Sequence, residues 1–134
     1  MTKQEYYDLL VKSAQDGTFP SAVIHDNMAM QCLYRADQTP HSLKRCAGGL
    51  LIDDEKYSPD LETVRVTMLA LSHPGIFNLP EGLSVSDINA IQREHDEACD
   101  WKNKSIVWYK EQFIDCINAL SCFADVVKVS PDAA

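Results

Sequence analysis

The feature that most restricts the fold is a run near the end of the chain, "SIVWYKEQFIDCINALSCFAD". In it Ile106, Tyr109, Phe113, Cys116, Ile117, Leu120, Phe123 and Ala124 recur at three- and four-residue spacing. That spacing puts them on one stripe of an α-helix. A stripe of that length needs a partner surface of similar length. The pattern predicts a helix over about 104–127 against which the rest of the chain packs.

Two other helices are legible from their ends. Thr2 and Glu5 have capping-box spacing, and Gly17 is a fitting stop. Between them Tyr6, Leu9, Leu10 and Ser13 form a stripe, which predicts a helix over 3–16. Ser84 and Asp87 make a second capping pair ahead of a helix over about 85–99, with Ile88, Ile91, His95 and Cys99 on one face. Residues 18–30 fit either a short helix or an extended connector. "SPDLE" has Ser58 at an N-cap position and Pro59 at the first helical position, a good helix start. "TVRVTMLAL", residues 63–71, reads as that helix continued or as a strand, because Val64, Val66 and Met68 alternate, and "HPGIFNLPEG" reads as a loop.

The densest stretch is "CLYRADQTPHSLKRCAGGLLIDDEKYSPDLE", residues 32–62. Two short apolar runs flank the turn-forming "DQTPHS". They predict a β-hairpin of about 31–36 and 44–49, with Gly48 and Gly49 ending or bulging its second strand. The expected class is α+β: a helix-dominated single domain, 1–134, with one small antiparallel hairpin packed on helices and a frayed tail over 129–134. Arg35, Asp54, Tyr57 and His95 are expected to form a polar cluster that docks the hairpin.

Charge then excludes functions. With 12 Lys and Arg against 20 Asp and Glu the net charge is −8. Tracking phosphates needs clustered cations, so direct nucleic-acid binding is not expected. Docking on an anionic membrane is disfavoured for the same reason. Contact with a basic protein surface is permitted, with solubility the simpler consequence of the charge. Five cysteines, Cys32, Cys46, Cys99, Cys116 and Cys122, make no disulfide framework. A reducing compartment and a cytoplasmic location are expected. "MTKQEYYDLL" has no apolar signal core, and no stretch reaches the length of a membrane span.

The stretch resembles a family of small proteins from bacteria and their phages. The resemblance is carried by Cys32, Tyr34 and Arg35 in "CLYR". It continues in Arg45, Cys46, Ala47, Gly49, Ile52, Asp54, Glu55, Tyr57, Pro59 and Glu62, and then in Gln92, His95, Asp96 and Trp101. Gly48, Leu50 and Asp53 stand where the family pattern has valine, a second cysteine and proline. The resemblance implies a phage or mobile-element source and a common fold, and brings no activity with it. The expected location becomes the cytoplasm of a bacterial host.

Each chemical reading is incomplete. His95 and Asp96 have the order of adjacent metal ligands in phosphohydrolases, but His25, His41 and His73 sit in predicted loops or turns and do not supply the earlier helical ligand. Cys32, Cys46 and His95 are zinc-ligand types without a Cys-x-x-Cys knuckle. Cys46 or Cys32 activated by His95 lacks a hydrolase signature. Asp53, Asp54 and Glu55 could hold Mg²⁺, but consecutive side chains diverge, and one facing Arg35 or Arg45 is the simpler expectation. Gly48-Gly49 lacks the Lys-Ser/Thr of a phosphate loop. No cofactor is expected.

The sequence therefore favours a non-enzymatic acidic binding protein that contacts a host protein through exposed carboxylates. Glu94, Glu97, Asp53 and Glu55 are the candidates, and a component of host defence is one version of the partner. The alternative is a small metal-dependent hydrolase or ligand-binding enzyme centred on His95/Asp96 and Asp53/Asp54/Glu55.

Overall fold

A computed structural model describes residues 1–19, 23–26, 29–35, 38–62, 64–102 and 106–130, with side chains described outside 23–32, 99–102 and 106–109. Helix α1 spans Lys3–Asp16. Thr2 Oγ accepts from Glu5 N at 3.1 Å and Glu5 Oε1 accepts from Thr2 N at 3.0 Å, a closed capping box. Gly17 ends the helix at φ +70°. The buried face is Tyr6, Tyr7, Leu10, Val11, Ser13 and Ala14. Leu9 is only half-buried, so the inward face is turned from the predicted stripe toward Tyr7 and Val11.

The α+β expectation is overturned: the core is built by helices, and the hairpin of 31–36 and 44–49 does not form. Tyr34 and Arg35 N–H groups go to the carboxylate of Glu62, not to a neighbouring strand. The intended second strand winds instead. Leu50 N donates to Cys46 O at 3.0 Å and Leu51 N to Gly48 O at 3.0 Å, leading into a 3₁₀ turn over Gly49–Leu51. Helical backbone cannot supply a strand's ladder. The extended pairing found among the described residues lies upstream, where four-residue segments β1, Val23–Asp26, and β2, Ala29–Cys32, pair antiparallel. Residue 36 of the expected hairpin lies outside the described residues.

Ser58 does start a turn, accepting from Asp60 N at 3.2 Å, but the turn stops after Pro59–Leu61. Glu62 leaves it in an extended conformation, φ −66° and ψ 153°. Helix α2 then spans Val66–Ser72 and buries Val66 and Leu69. Helix α3 spans Val85–Lys102, capped where Asp87 N donates to Ser84 Oγ at 3.2 Å. Its inner face is Ile88, Ile91, Gln92, His95 and Ala98.

Helix α4 spans Ile106–Asn118 and runs back along α3. It is shorter than predicted. Ala119 N bonds to both Asp115 O and Cys116 O, closing the helix, and Leu120 turns extended at ψ 133°. A 3₁₀ turn over Ser121–Phe123 returns Phe123 to the core. Phe113, Ile114 and Ile117 are fully buried, Leu120 is half-buried and Ala124 is exposed. The tail expected to fray from 129 is tied at its first residue: Val129 N donates to Tyr7 Oη at 2.9 Å. Residues 131–134 lie outside the described residues. Among the described residues no helix is long and apolar enough to cross a membrane.

Candidate functional site

The motif stretch builds its site around one enclosed arginine. Arg35 is fully buried. Its Nη2 donates to Ile52 O at 2.6 Å, its Nη1 donates to Gly49 O, and its Nε reaches Pro40 O at 3.4 Å. The guanidinium lies 5.1 Å from the centre of the Tyr57 ring, a cation–π distance. Carbonyl oxygens thus satisfy most of its donors. Burial, and then the neighbouring Arg45, push its pKa down from the ordinary arginine value.

Asp54 closes the outer side of this cluster. Its Oδ1 accepts from Arg45 Nη2 at 2.8 Å and lies 3.5 Å from Arg35 Nη2; its Oδ2 is 3.2 Å from His41 Nδ1. Burial alone would raise the Asp54 carboxyl. The His41 hydrogen bond and the two arginines outweigh it, and its pKa is lowered. Arg45 also donates to Ser42 O at 2.7 Å and Pro40 O at 3.4 Å, so the 40–45 turn is braced from beneath.

Glu62 closes the inner side. It is buried and accepts from Tyr34 N at 2.9 Å, Arg35 N at 3.1 Å and Tyr57 Oη at 2.6 Å. Burial, and then the bond to Glu62, push the Tyr57 hydroxyl far above the ordinary tyrosine value. Of the four expected members, Arg35, Asp54 and Tyr57 come together. Glu62 and Arg45 join them in the structure. By sequence Glu62 is an ordinary first-turn acid, and only its departure from the helix makes it a cap.

His95 belongs to a separate arrangement on α3. Its ring is fully buried, edge-on to Phe19 at 4.4 Å and to Phe113 at 6.2 Å between centres. Nδ1 lies 3.3 Å from Asp96 Oδ1 and 3.4 Å from Gln92 Nε2. Gln92 Nε2 donates to Asp96 Oδ1 at 2.6 Å, and Gln92 Oε1 accepts from Gly48 N at 2.6 Å. Gln92 is therefore the bolt between α3 and the Gly-Gly turn. Its spacing on the helix, four residues after Ile88 and three before His95, is the signal in the sequence.

The acidic candidates are scattered. Asp53 Oδ1 accepts from Asn78 Nδ2 at 2.6 Å, with Lys56 4.0 Å from its other oxygen, while Glu55 is exposed. The triplet therefore diverges. Glu97 is exposed on α3, one turn beyond Glu94. Glu94 sits against Cys116 of α4, and burial followed by Glu94 pushes that thiol up to about 11. Cys46 is buried, and Gly49 N points at its sulfur from 3.4 Å. The side chains of Cys32, Cys99 and Trp101 lie outside the described residues. Among the described residues no three His, Cys, Asp or Glu side chains gather to hold a metal ion. Comparison with protein-family models, curated proteins and solved structures finds no match.

Proposed function

We propose that the chain is a non-enzymatic binding protein of phage or mobile-element type. It acts in the cytoplasm of a bacterial host by laying acidic surface against a basic host protein. The observation that carries this reading is a ridge of unneutralised carboxylates along α3 and α4. Glu94 and Glu97 stand on α3, and Glu111 and Asp115 stand one turn apart on α4, beside Cys116. Among the described residues none of the four takes part in an ion pair, whereas Lys3, Lys12, Arg45 and Lys56 are each matched to an aspartate. Arg35 is likewise turned to Asp54, and Lys110 of α4 donates to Gln15 O at 2.8 Å, so these cations do not cover the ridge.

The net charge of −8 and the resemblance to small phage proteins point the same way. The enclosure of His95 disfavours the hydrolase alternative, because a fully buried imidazole cannot reach a substrate. The test is retention of host proteins on the immobilised chain. Reversing the ridge at two exposed positions, with Glu97→Lys and Glu111→Lys, should abolish retention and leave melting unchanged. Rising salt should elute the wild-type partner, since exposed charges are screened within about 10 Å at 0.1 M. Equal retention by the reversed variant would remove the ridge from the contact.

A further inference from the structure

The segment after the last 3₁₀ turn is held in an unusual way. Val127 N donates to Gln4 Oε1 at 2.8 Å, and Gln4 Nε2 donates back to Val127 O at 3.1 Å. Two residues on, Val129 N donates to Tyr7 Oη at 2.9 Å, and Asn118 Nδ2 donates to Val129 O at 2.9 Å. Tyr7 Oη itself donates to Asn118 Oδ1 at 2.6 Å, which fixes the two readers against each other. Both main-chain groups of two alternate residues are thus bonded, and all of the partners are side chains. A sheet edge captures an extended peptide through the same alternate groups. Here one turn of α1 and the end of α4 present them.

The side chains divide accordingly. Val126 and Val129 pack against the core, while Val127 is 80% exposed and Lys128 is exposed. Val126 and Val129 are only partly buried, and a segment without fully buried side chains opens more readily than the core. Tyr7, by contrast, is fully buried and belongs to the rigid body of the fold.

We infer that the groove where α1 meets the end of α4 is a binding site for a short irregular peptide segment. It reads the main chain at two alternate residues and takes branched aliphatic side chains three positions apart, and residues 125–129 occupy it in cis. A partner's segment of the same chemistry competes for it in trans. The positions matching Val127 and Lys128 are free in side chain, and those matching Val126 and Val129 are restricted. The Lys3–Asp125 ion pair, 3.1 Å, is the outer latch of the resident strap.

The probe is a fluorescently labelled peptide of residues 124–130, followed by anisotropy with the full-length protein. The resident strap acts as a tethered competitor at an effective concentration in the millimolar range, so wild type should bind the peptide weakly. Val127→Pro with Val129→Pro removes both strap N–H donors and leaves Gln4, Tyr7 and Asn118 in place. That variant should bind at least about tenfold tighter than wild type. Adding Gln4→Ala should cancel the gain. A peptide N-methylated at its two alternate positions should not bind. Aspartate should be tolerated at the position matching Val127 and rejected at that matching Val129. A strap-released variant that melts as wild type and binds no peptide would overturn the inference, as would equal binding of the N-methylated peptide. Should the double proline variant fail to fold, amide exchange in wild type decides. Saturating peptide is expected to speed exchange at Val127 and Val129, and unchanged protection would refute the site.

Discussion

Glu62 grips Arg35 by its backbone. The carboxylate accepts Arg35 N at 3.1 Å, while the guanidinium turns the other way, to the carbonyls of Gly49 and Ile52. One residue thus ties two chain segments together: its N–H to the segment after Pro59, its side chain to the Gly-Gly turn. Tyr57 links the two sides, stacked near the guanidinium and donating to Glu62. The motif stretch is a folding device whose polar groups are largely consumed by one another.

That device requires Gly49. A Cβ added there would lie 2.3 Å from Tyr34 O, a backbone atom that cannot swing aside. Gly49→Ala should destabilise by about 1–3 kcal/mol, the usual cost of overpacking. Urea denaturation measures it, and a change within about 0.5 kcal/mol would mean that the turn relaxes freely.

The sequence made the helices legible and the site only partly so. Caps at Thr2, Gly17 and Ser84 act locally, and the structure places them as their spacing predicts. The hairpin misled because "QCLYRA" and "KRCAGGLLI" satisfy strand patterning while their hydrogen bonds are set by distant residues. Glu62 takes the N–H groups of 34 and 35, and Gln92 takes that of Gly48. Neither pairing has a local signature. The apolar period continues through Phe123, but helix α4 stops at Asn118, whose side chain is spent on Tyr7 and Val129.

Asp54 gives the cluster a pH dependence. Its folded pKa is lowered, so its contribution is present above the ordinary aspartate value and is lost as pH falls through the lower folded value. Asp54→Asn should therefore be less stable than wild type at neutral pH, with the gap closing below about pH 4. Parallel melting curves from pH 7 to pH 3 test this; a gap that does not change over that range would mean that the arginines are satisfied without the charge.

His95 separates a structural role from a chemical one. His95→Ala leaves a cavity against Phe19 and Phe113 and disturbs the Gln92–Asp96 contacts, so stability should fall by about 1–3 kcal/mol. Metal content by elemental analysis should be the same in variant and wild type. A variant that melts like wild type but loses bound metal would restore the hydrolase reading.

The most direct measurement is the denaturant unfolding of Glu62→Leu. The substitution is similar in volume and removes the acceptor for Tyr34 N, Arg35 N and Tyr57 Oη together. Three buried donors would be left to find new partners, each at about 1–3 kcal/mol. The lock predicts a loss of at least about 3 kcal/mol, with the ridge variant Glu97→Lys unchanged beside it. Stability equal to wild type, with partner retention lost, would contradict the account and make the Arg35–Glu62 cluster a binding site.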